Sequence, residues 1–548
     1  MGLDDASRDT SSKKGSCLSV FKTLSVEPAG FLVICSIIMS HLMFQNLLME
    51  TACRGDLGYE AATCKEIITK VNASYKTQER EIQKVVADLQ AITSVLFGSI
   101  SVLVVLFIGP WSDSNGRKIP LLISCMGMLS FSGMMILCYF LLDKVKLNAL
   151  TLTLLVMGPI TLSGGGHVFG MSAYSYIADT TSEKSRTLRT GVLSASVRSA
   201  MPIGYAIGGG LNKFGVKITT SLMLAMGLGL VGFVILLLTV KNVRPKNTEV
   251  DDVDGSEVTK RKKRSAWIRY NPLTKLWQAF AILWKKRKDR VGFWLLIVAH
   301  MSYAAPGSGE YSMLYLFVRE RLQWNVSDYG FFSMYNWLMS AAGVFLSMFI
   351  LSRKLKISDP IVGLVAGFSQ IGGSTMYAFA TTALAMYLAS ATDLMNGTIG
   401  VVVRSMLSKT VAPDEIGKLF ALLGVLESLI PIGMVPTYAM LYKNTVTIFA
   451  GAFFLLSAAL TIPAEIIFIY FICTKRNMSP KKEEHALDGE LGPSGKPLVV
   501  HKGALEDRIN NELVRLMPQE MYSSKDCMVG VFEAKNAVKN DNDDEEEK

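Results

Sequence analysis

The residues in this sequence most able to do chemistry are ionisable side chains set inside long apolar runs. Arg198, His300, Asp393, Arg404 and Glu427 each interrupt a stretch otherwise made of Leu, Val, Ala, Gly and Met. A charge in such surroundings is expensive, so a chain keeps one where it pairs, binds a ligand or moves an ion. Arginine cannot neutralise itself by losing a proton, so Arg198 and Arg404 each need an anionic partner or an anionic ligand. Histidine titrates near neutral pH, and a carboxyl does so once burial raises its pKa. His300, Glu427 and Asp393 are therefore the candidates for taking up and releasing a proton. Glu427 lies mid-run in LLGVLESLIPIG, where burial is expected, with Arg404 or Arg198 holding it ionised until an anion competes for the arginine. Tyr315 joins the two arginines as a candidate ligand-binding residue, one of several tyrosines able to stack a flat molecule or to pack between helices. His41 and His167 read as histidines packed between helices. Glu310 belongs near an outer mouth or in a site, and Glu465 pairs locally or faces the outer interface.

Other chemistries find no support in the pattern. No nucleophile elbow, paired His-Asp motif or cysteine–histidine set with metal spacing occurs, so no catalytic residue and no metal ligand is assigned. The glycine runs SGGGH and IGGGLN follow no strand and are not dinucleotide loops; they suit close helix approach. A G-x-x-x-x-G-K-[ST] loop is absent, which argues against an ATP-driven pump, and no cofactor is expected.

The elements that must position these residues are membrane helices. Half of the 548 residues are apolar and only 19% are charged, with mean hydropathy +0.33. Crossing a bilayer takes about 20 mostly apolar residues. Such runs recur near 29–49, 89–110, 119–141, 150–178, 190–211 and 218–240, then near 292–317, 328–351, 358–380, 383–405, 417–440 and 446–472. The expectation is an all-α membrane protein of twelve transmembrane helices in two six-helix halves, 29–240 and 292–472. Residues 1–28 form an N-terminal segment, 241–291 a basic linker and 473–548 a polar, disordered tail.

Lys and Arg set the orientation. Residues 241–290 hold 15 of them, so this linker and both termini belong in the cytoplasm. The net charge of +10 is then an orientation signal, and nucleic acid is not a partner. Within the linker, Leu273, Leu276, Trp277, Phe280 and Trp284 recur at helical spacing; this is an amphipathic helix on the inner leaflet or an extension of the seventh span. The loop at 50–88 faces the opposite side. It carries the sequon Asn72-Ala73-Ser74, and Cys53 and Cys64, which can close a small loop in a compartment that permits disulfides. Asn325-Val326-Ser327 is a second sequon on that face, close to the membrane.

Between the second and third runs, GPWSDSNGRK packs Asp113, Gly116, Arg117 and Lys118 into one tight turn. Gly116 permits the turn, Asp113 can pair with an arginine or a helix N-terminus, and Arg117 and Lys118 are expected at the cytoplasmic surface. Contacts of this kind can close two halves on the inside and release as they rock. The spacing G-x-x-x-D-x-x-G-R-K, in this place in a 6+6 chain, resembles the signature loop of the major facilitator superfamily, whose halves are related by internal symmetry. The equivalent second-half turn is eroded to SRKLKISD, so the inner gate is expected to be asymmetric.

Together with VEPAGF (26–31), IADTTSEKSRTLR (177–189) and VVVRSMLSKTVAPDEIGKLFALLGVLESL (401–429), that loop is similar to the proton-coupled folate transporter family over about residues 20–475. The resemblance implies secondary transport of an organic anion, folate-like or another metabolite, driven by protons, in the plasma membrane or in endosomes and lysosomes. It implies a gate role for Asp113 and Arg117, a substrate and coupling role for Arg404, and proton coupling at His300. Two acidic positions of the folate-carrying member are missing, since Gly165 and Ser194 stand in their places. The expected partners are a small anion, protons and lipid. A receptor or scaffold built on the transporter fold is the competing reading.

Overall fold

Apolar runs of this length satisfy their backbone only as helices when no water is available, and the described residues are helices joined by short turns. The structure, a computed structural model, describes residues 25–69, 75–142, 144–181, 183–242, 283–284, 289–411 and 415–474. In order the helices are α1 (Val26–Thr51, continued by a wider turn to Asp56), α2 (Ala61–Thr69), α3 (Lys76–Asn115) and α4 (Lys118–Leu141). Then come α5 (Ala149–Leu162), α6 (Gly165–Thr180), α7 (Glu183–Lys213) and α8 (Ile218–Thr239). The second half holds α9 (Arg290–Leu322), α10 (Val326–Leu346, continued to Lys354), α11 (Asp359–Phe379), α12 (Ala383–Thr392), α13 (Asn396–Lys409), α14 (Ile416–Thr445) and α15 (Ala452–Cys473). With α5–α6 and α12–α13 each forming one rod, these give twelve membrane-crossing rods in two sets of six among the described residues. Eight rods are long and apolar enough to span on composition alone. The other four, α7, α9, α11 and α12–α13, include the rods that carry Arg198, His300, Asp393 and Arg404.

Two expected spans, 150–178 and 383–405, are not continuous. The first breaks at Ser163–Gly164, where Gly164 takes φ +75° and a Cβ would sit 2.1 Å from Val168. The second breaks at Asp393–Met395, where Ser369 of α11 repairs the ladder. Its hydroxyl donates to the Thr392 carbonyl at 2.6 Å and accepts from the Met395 N–H at 3.2 Å. The loop expected at 50–88 is also largely helical. α1 runs on to Asp56, α2 fills its middle, and the first three turns of α3 supply its end. A disulfide joins Cys53 to Cys64, with their Cα atoms 5.8 Å apart. Asn72, nearly all of the 241–291 linker and the terminal segments lie outside the described residues.

Packing between the halves is one-sided. α3 lies along α14, and α7 along α10. Gly209 and Gly330 bring the last two backbones so close that a Cβ on Gly330 would meet the Gly209 Cα at 3.0 Å. A large apolar core joins both halves on the side of the Cys53–Cys64 bond, called here the disulfide side. Toward the opposite, basic side, a second core of α9, α11 and α13–α15 belongs to the second half alone.

Candidate functional site

Three of the motifs interlock on the basic side of the first half. Arg117 donates through Nε to Asp179 at 2.8 Å and through Nη1 to Ser112 Oγ at 3.1 Å. Arg189 donates to Glu27 at 3.0 Å and to Thr181 at 3.1 Å, tying the α7 start to VEPAGF. Gly116 turns with φ +100°, and Lys118 Nζ caps α8 at the Leu237 carbonyl, 2.8 Å away. Arg117 is buried, not at the surface as expected, because a guanidinium with two oriented acceptors can leave water. The Asp113 side chain lies outside the described residues. In the second half, Asp359 of the eroded turn accepts from Lys409 at 2.6 Å and Ser405 at 3.1 Å. Each of these pairs stays within one half.

The hydrogen bonds and ion pairs described between the halves gather on the disulfide side. They include Arg80–Glu320 at 2.8 Å, Tyr442–Gln83 at 2.8 Å, Lys443–Asp88 at 2.5 Å and Asn212–Ser327 at 2.8 Å. The halves are held together on that side; further along, exposed side chains of both, Arg198 and His167 of the first and Arg404 and Glu427 of the second, face a solvent-reached space between them, called here the cleft.

Inside that cleft the second half places one tight cluster. Glu427 on α14 receives Arg404 of α13 in a close ion pair. Its Oε1 also stands 2.9 Å from His300 Nε2 of α9, off the line of a hydrogen bond. His300 is fully buried, with the Tyr303 ring edge-on at 5.4 Å. Contrary to expectation Glu427 is only part-buried, its side chain 33% exposed beside an Arg404 that is 40% exposed. It looks into the cleft, and solvent reaches it. From the first half, Arg198 on α7 is exposed, makes no hydrogen bond or ion pair among the described residues, and is near enough for its charge to act on the Tyr303 hydroxyl. His167 is exposed too, within electrostatic reach of Glu427, and is not packed between helices as expected. Ser194, standing where the family resemblance puts an acid, exchanges a hydrogen bond with Tyr174 at 2.9 Å.

Two candidate residues sit elsewhere. Asp393 is buried at the break before α13, against Gly373 and bonded by Asn396 Nδ2 at 2.8 Å, away from the His300–Glu427–Arg404 cluster. Tyr315 does not face the cleft. It is buried in the disulfide-side contact, donating to Asn46 at 2.6 Å. His41 is packed between helices, its ring stacked on Tyr311 at 5.6 Å. Sequence reasoning missed Asp179 and Glu27, the true partners of the basic turns. Each lies in a quoted motif, but an acidic residue in a turn gives no signal of which arginine it meets.

A family profile described as Major Facilitator Superfamily matches residues 71–436. The chain belongs to that superfamily. It is a membrane transporter by family and fold. A human relative, "Lysosomal proton-coupled steroid conjugate and bile acid symporter SLC46A3", is 27% identical over 83% of this chain and 96% of its own length. A Drosophila melanogaster relative, "Probable peptidoglycan muropeptide transporter SLC46", is 24% identical over 79% of this chain and 83% of its own. Among solved structures, a POT peptide transporter in complex with sulfate matches with TM-score 0.55 at 14% identity, covering 82% of this chain and 95% of that one. The human organic anion transporter MFSD10 matches with TM-score 0.51 at 14% identity, covering 81% and 99%. These two likenesses bear on the fold alone.

Proposed function

We propose that this transporter moves an amphipathic organic anion together with a proton by alternating access. The observation that carries the reading is the His300–Glu427–Arg404 cluster, faced across the cleft by the unpaired Arg198. In the empty site Glu427 neutralises Arg404. An entering anion finds Arg198 free and competes with Glu427 for the Arg404 guanidinium, which binds carboxylates and sulfates in a planar fork. Glu427, losing its cation, becomes the place where a proton is most stabilising, with His300 in contact to pass one. Anion binding and proton uptake then favour each other, as linkage requires. Tyr303 and Tyr174 give the site aromatic surface for an apolar body, in keeping with the bile acids and steroid conjugates named for the human relative. The basic side belongs in the cytoplasm of a plasma membrane or an endosomal or lysosomal membrane.

Uptake into proteoliposomes of the purified protein tests this, using labelled bile-acid conjugates, steroid sulfates, muropeptides and folates at about pH 5.5 and about pH 7.5, either side of the ordinary histidine value. Accumulation should rise on the acid side and should need a proton gradient. Glu427→Gln should keep substrate exchange and lose the acid stimulation. Full pH-dependent accumulation in Glu427→Gln would refute this coupling scheme and leave His300 as the first group to examine. No accumulation of any probe would favour a receptor or scaffold.

A further inference from the structure

On the disulfide side, two consecutive residues of α9 meet two consecutive residues of α3 with opposite charge order. Arg319, 1% exposed, pairs with Glu79, 4% exposed. Its neighbour Glu320 accepts two bonds from Arg80, at 3.0 and 2.8 Å, with Lys76 at 3.8 Å. Arg319 does more than bridge the halves. Its Nη2 donates to the Ile67 carbonyl at 2.6 Å and its Nη1 to the Ile68 carbonyl at 3.2 Å, at the C-terminal end of α2. Those carbonyls have no helical partner of their own, and a cation there also meets the negative end of the helix dipole. The Cys53–Cys64 bond pins α2 against the end of α1. Tyr59 adds a bond to Glu81 at 2.6 Å, and the receiving carboxylate holds its phenol above the usual value and so protonated.

We infer that Arg319 is a gating residue for transport and that the disulfide-pinned segment 53–69 is part of the gate, a strap of the first half that α9 of the second half grips and must release before the cleft can open on the disulfide side. Arg319 touches neither substrate nor the cluster at Glu427; it acts through position. α9 carries it and His300 on one continuous helix that includes Pro306, so movement of the His300 end is transmitted to the latch. Breaking a buried charge pair by removing one partner leaves the other charge uncompensated. Opening must therefore separate Arg319 and Glu79 into water, and losing Arg319 should make the disulfide side open too readily.

The test is independent of which anion is carried. Arg198→Cys places a thiol in the cleft, while Cys35, Cys125 and Cys138 are buried. A membrane-impermeant thiol reagent should label it from the basic side and scarcely at all from the disulfide side. Adding Arg319→Ala should raise labelling from the disulfide side by about tenfold or more, the scale of an ordinary conformational coupling. Arg319→Lys, which keeps the charge but loses the fork, should fall between. If Arg319→Ala does not fold, Arg80→Glu and Glu320→Arg supply the same readout: each alone should raise disulfide-side labelling, and the double swap should restore closure. Equal disulfide-side labelling rates in the folded latch variants and in Arg198→Cys alone would overturn the assignment.

Discussion

Glu427 touches two groups with opposite consequences for its proton. Arg404 keeps it ionised; an adjoining imidazole can hand a proton on. Under the proposed anion–proton scheme, the arginine pair, more than the histidine, would determine which anions are accepted. Arg404→Lys should raise KM about ten- to a hundredfold, the worth of a charge-assisted bond, while leaving surface expression intact. Arg198→Gln should raise KM as well but keep acid stimulation, because Arg198 does not hold Glu427. Transport kinetics of the two variants at both pH values check this. A KM change confined to Arg404 would remove Arg198 from the site. Arg198, His300, Arg404 and Glu427 stood out in the sequence as ionisable residues in apolar runs, with Arg404 and His300 also marked by the family resemblance. Their assembly was not legible, since Arg404 and Glu427 come from the consecutive helices α13 and α14, while His300 comes from α9 and Arg198 from the other half. Tyr315 misled because a tyrosine in a span has the same signature whether it lines a cleft or, as here, fills a closed contact.

At the scale of helices, one of the two broken rods, α12–α13, carries a member of the cluster. α13 begins at the break beside Asp393 and carries Arg404 two turns on, so whatever fixes that break also fixes the guanidinium. Ser369 does so with one hydroxyl serving a carbonyl and an N–H. Ser369→Ala should cost about 1–3 kcal/mol for each backbone group left unsatisfied. It should lower Tm and raise KM together, with little change in the pH profile. A thermal shift with unaltered KM would show that α13 is held from elsewhere. Neither break stood out in the sequence, because Gly164 and Asp393 sit in runs that remain apolar across them. The superfamily loop, by contrast, was legible by spacing, but the turn is confined to Gly116–Arg117, because α3 stays helical through GPWSDSN to Asn115. Its arginine is buried because the aspartate that receives it, Asp179, lies in another motif.

For the whole molecule, the one-sided latch gives orientation a functional meaning: the cleft of this conformer opens on the side where the basic turns gather. If that side is cytoplasmic, the disulfide side is extracellular or luminal, and glycosylation can report it. Two sequons belong there, at Asn72 and Asn325, and the structure distinguishes them. Asn325 caps α10, its side-chain oxygen accepting from the Ser327 and Asp328 amides at 2.8 and 3.0 Å, while the Ser327 hydroxyl accepts from Asn212 of the other half. In the fold this sequon is tied into the helix cap through the Asn325 side chain and into the other half through the Ser327 hydroxyl, so Asn72 is expected to carry the glycan. Asn72→Gln should therefore abolish the mobility shift on glycosidase treatment. Asn325→Gln should leave that shift unchanged and cost stability of about 1 kcal/mol through the lost cap. Glycan persisting in Asn72→Gln and disappearing in Asn325→Gln would mean that the α7–α10 contact closes only after glycosylation has occurred. Protection of the 241–290 linker from protease in sealed cells completes the measurement, since a linker cut from outside would reverse the orientation and, with it, the side from which this conformer is loaded.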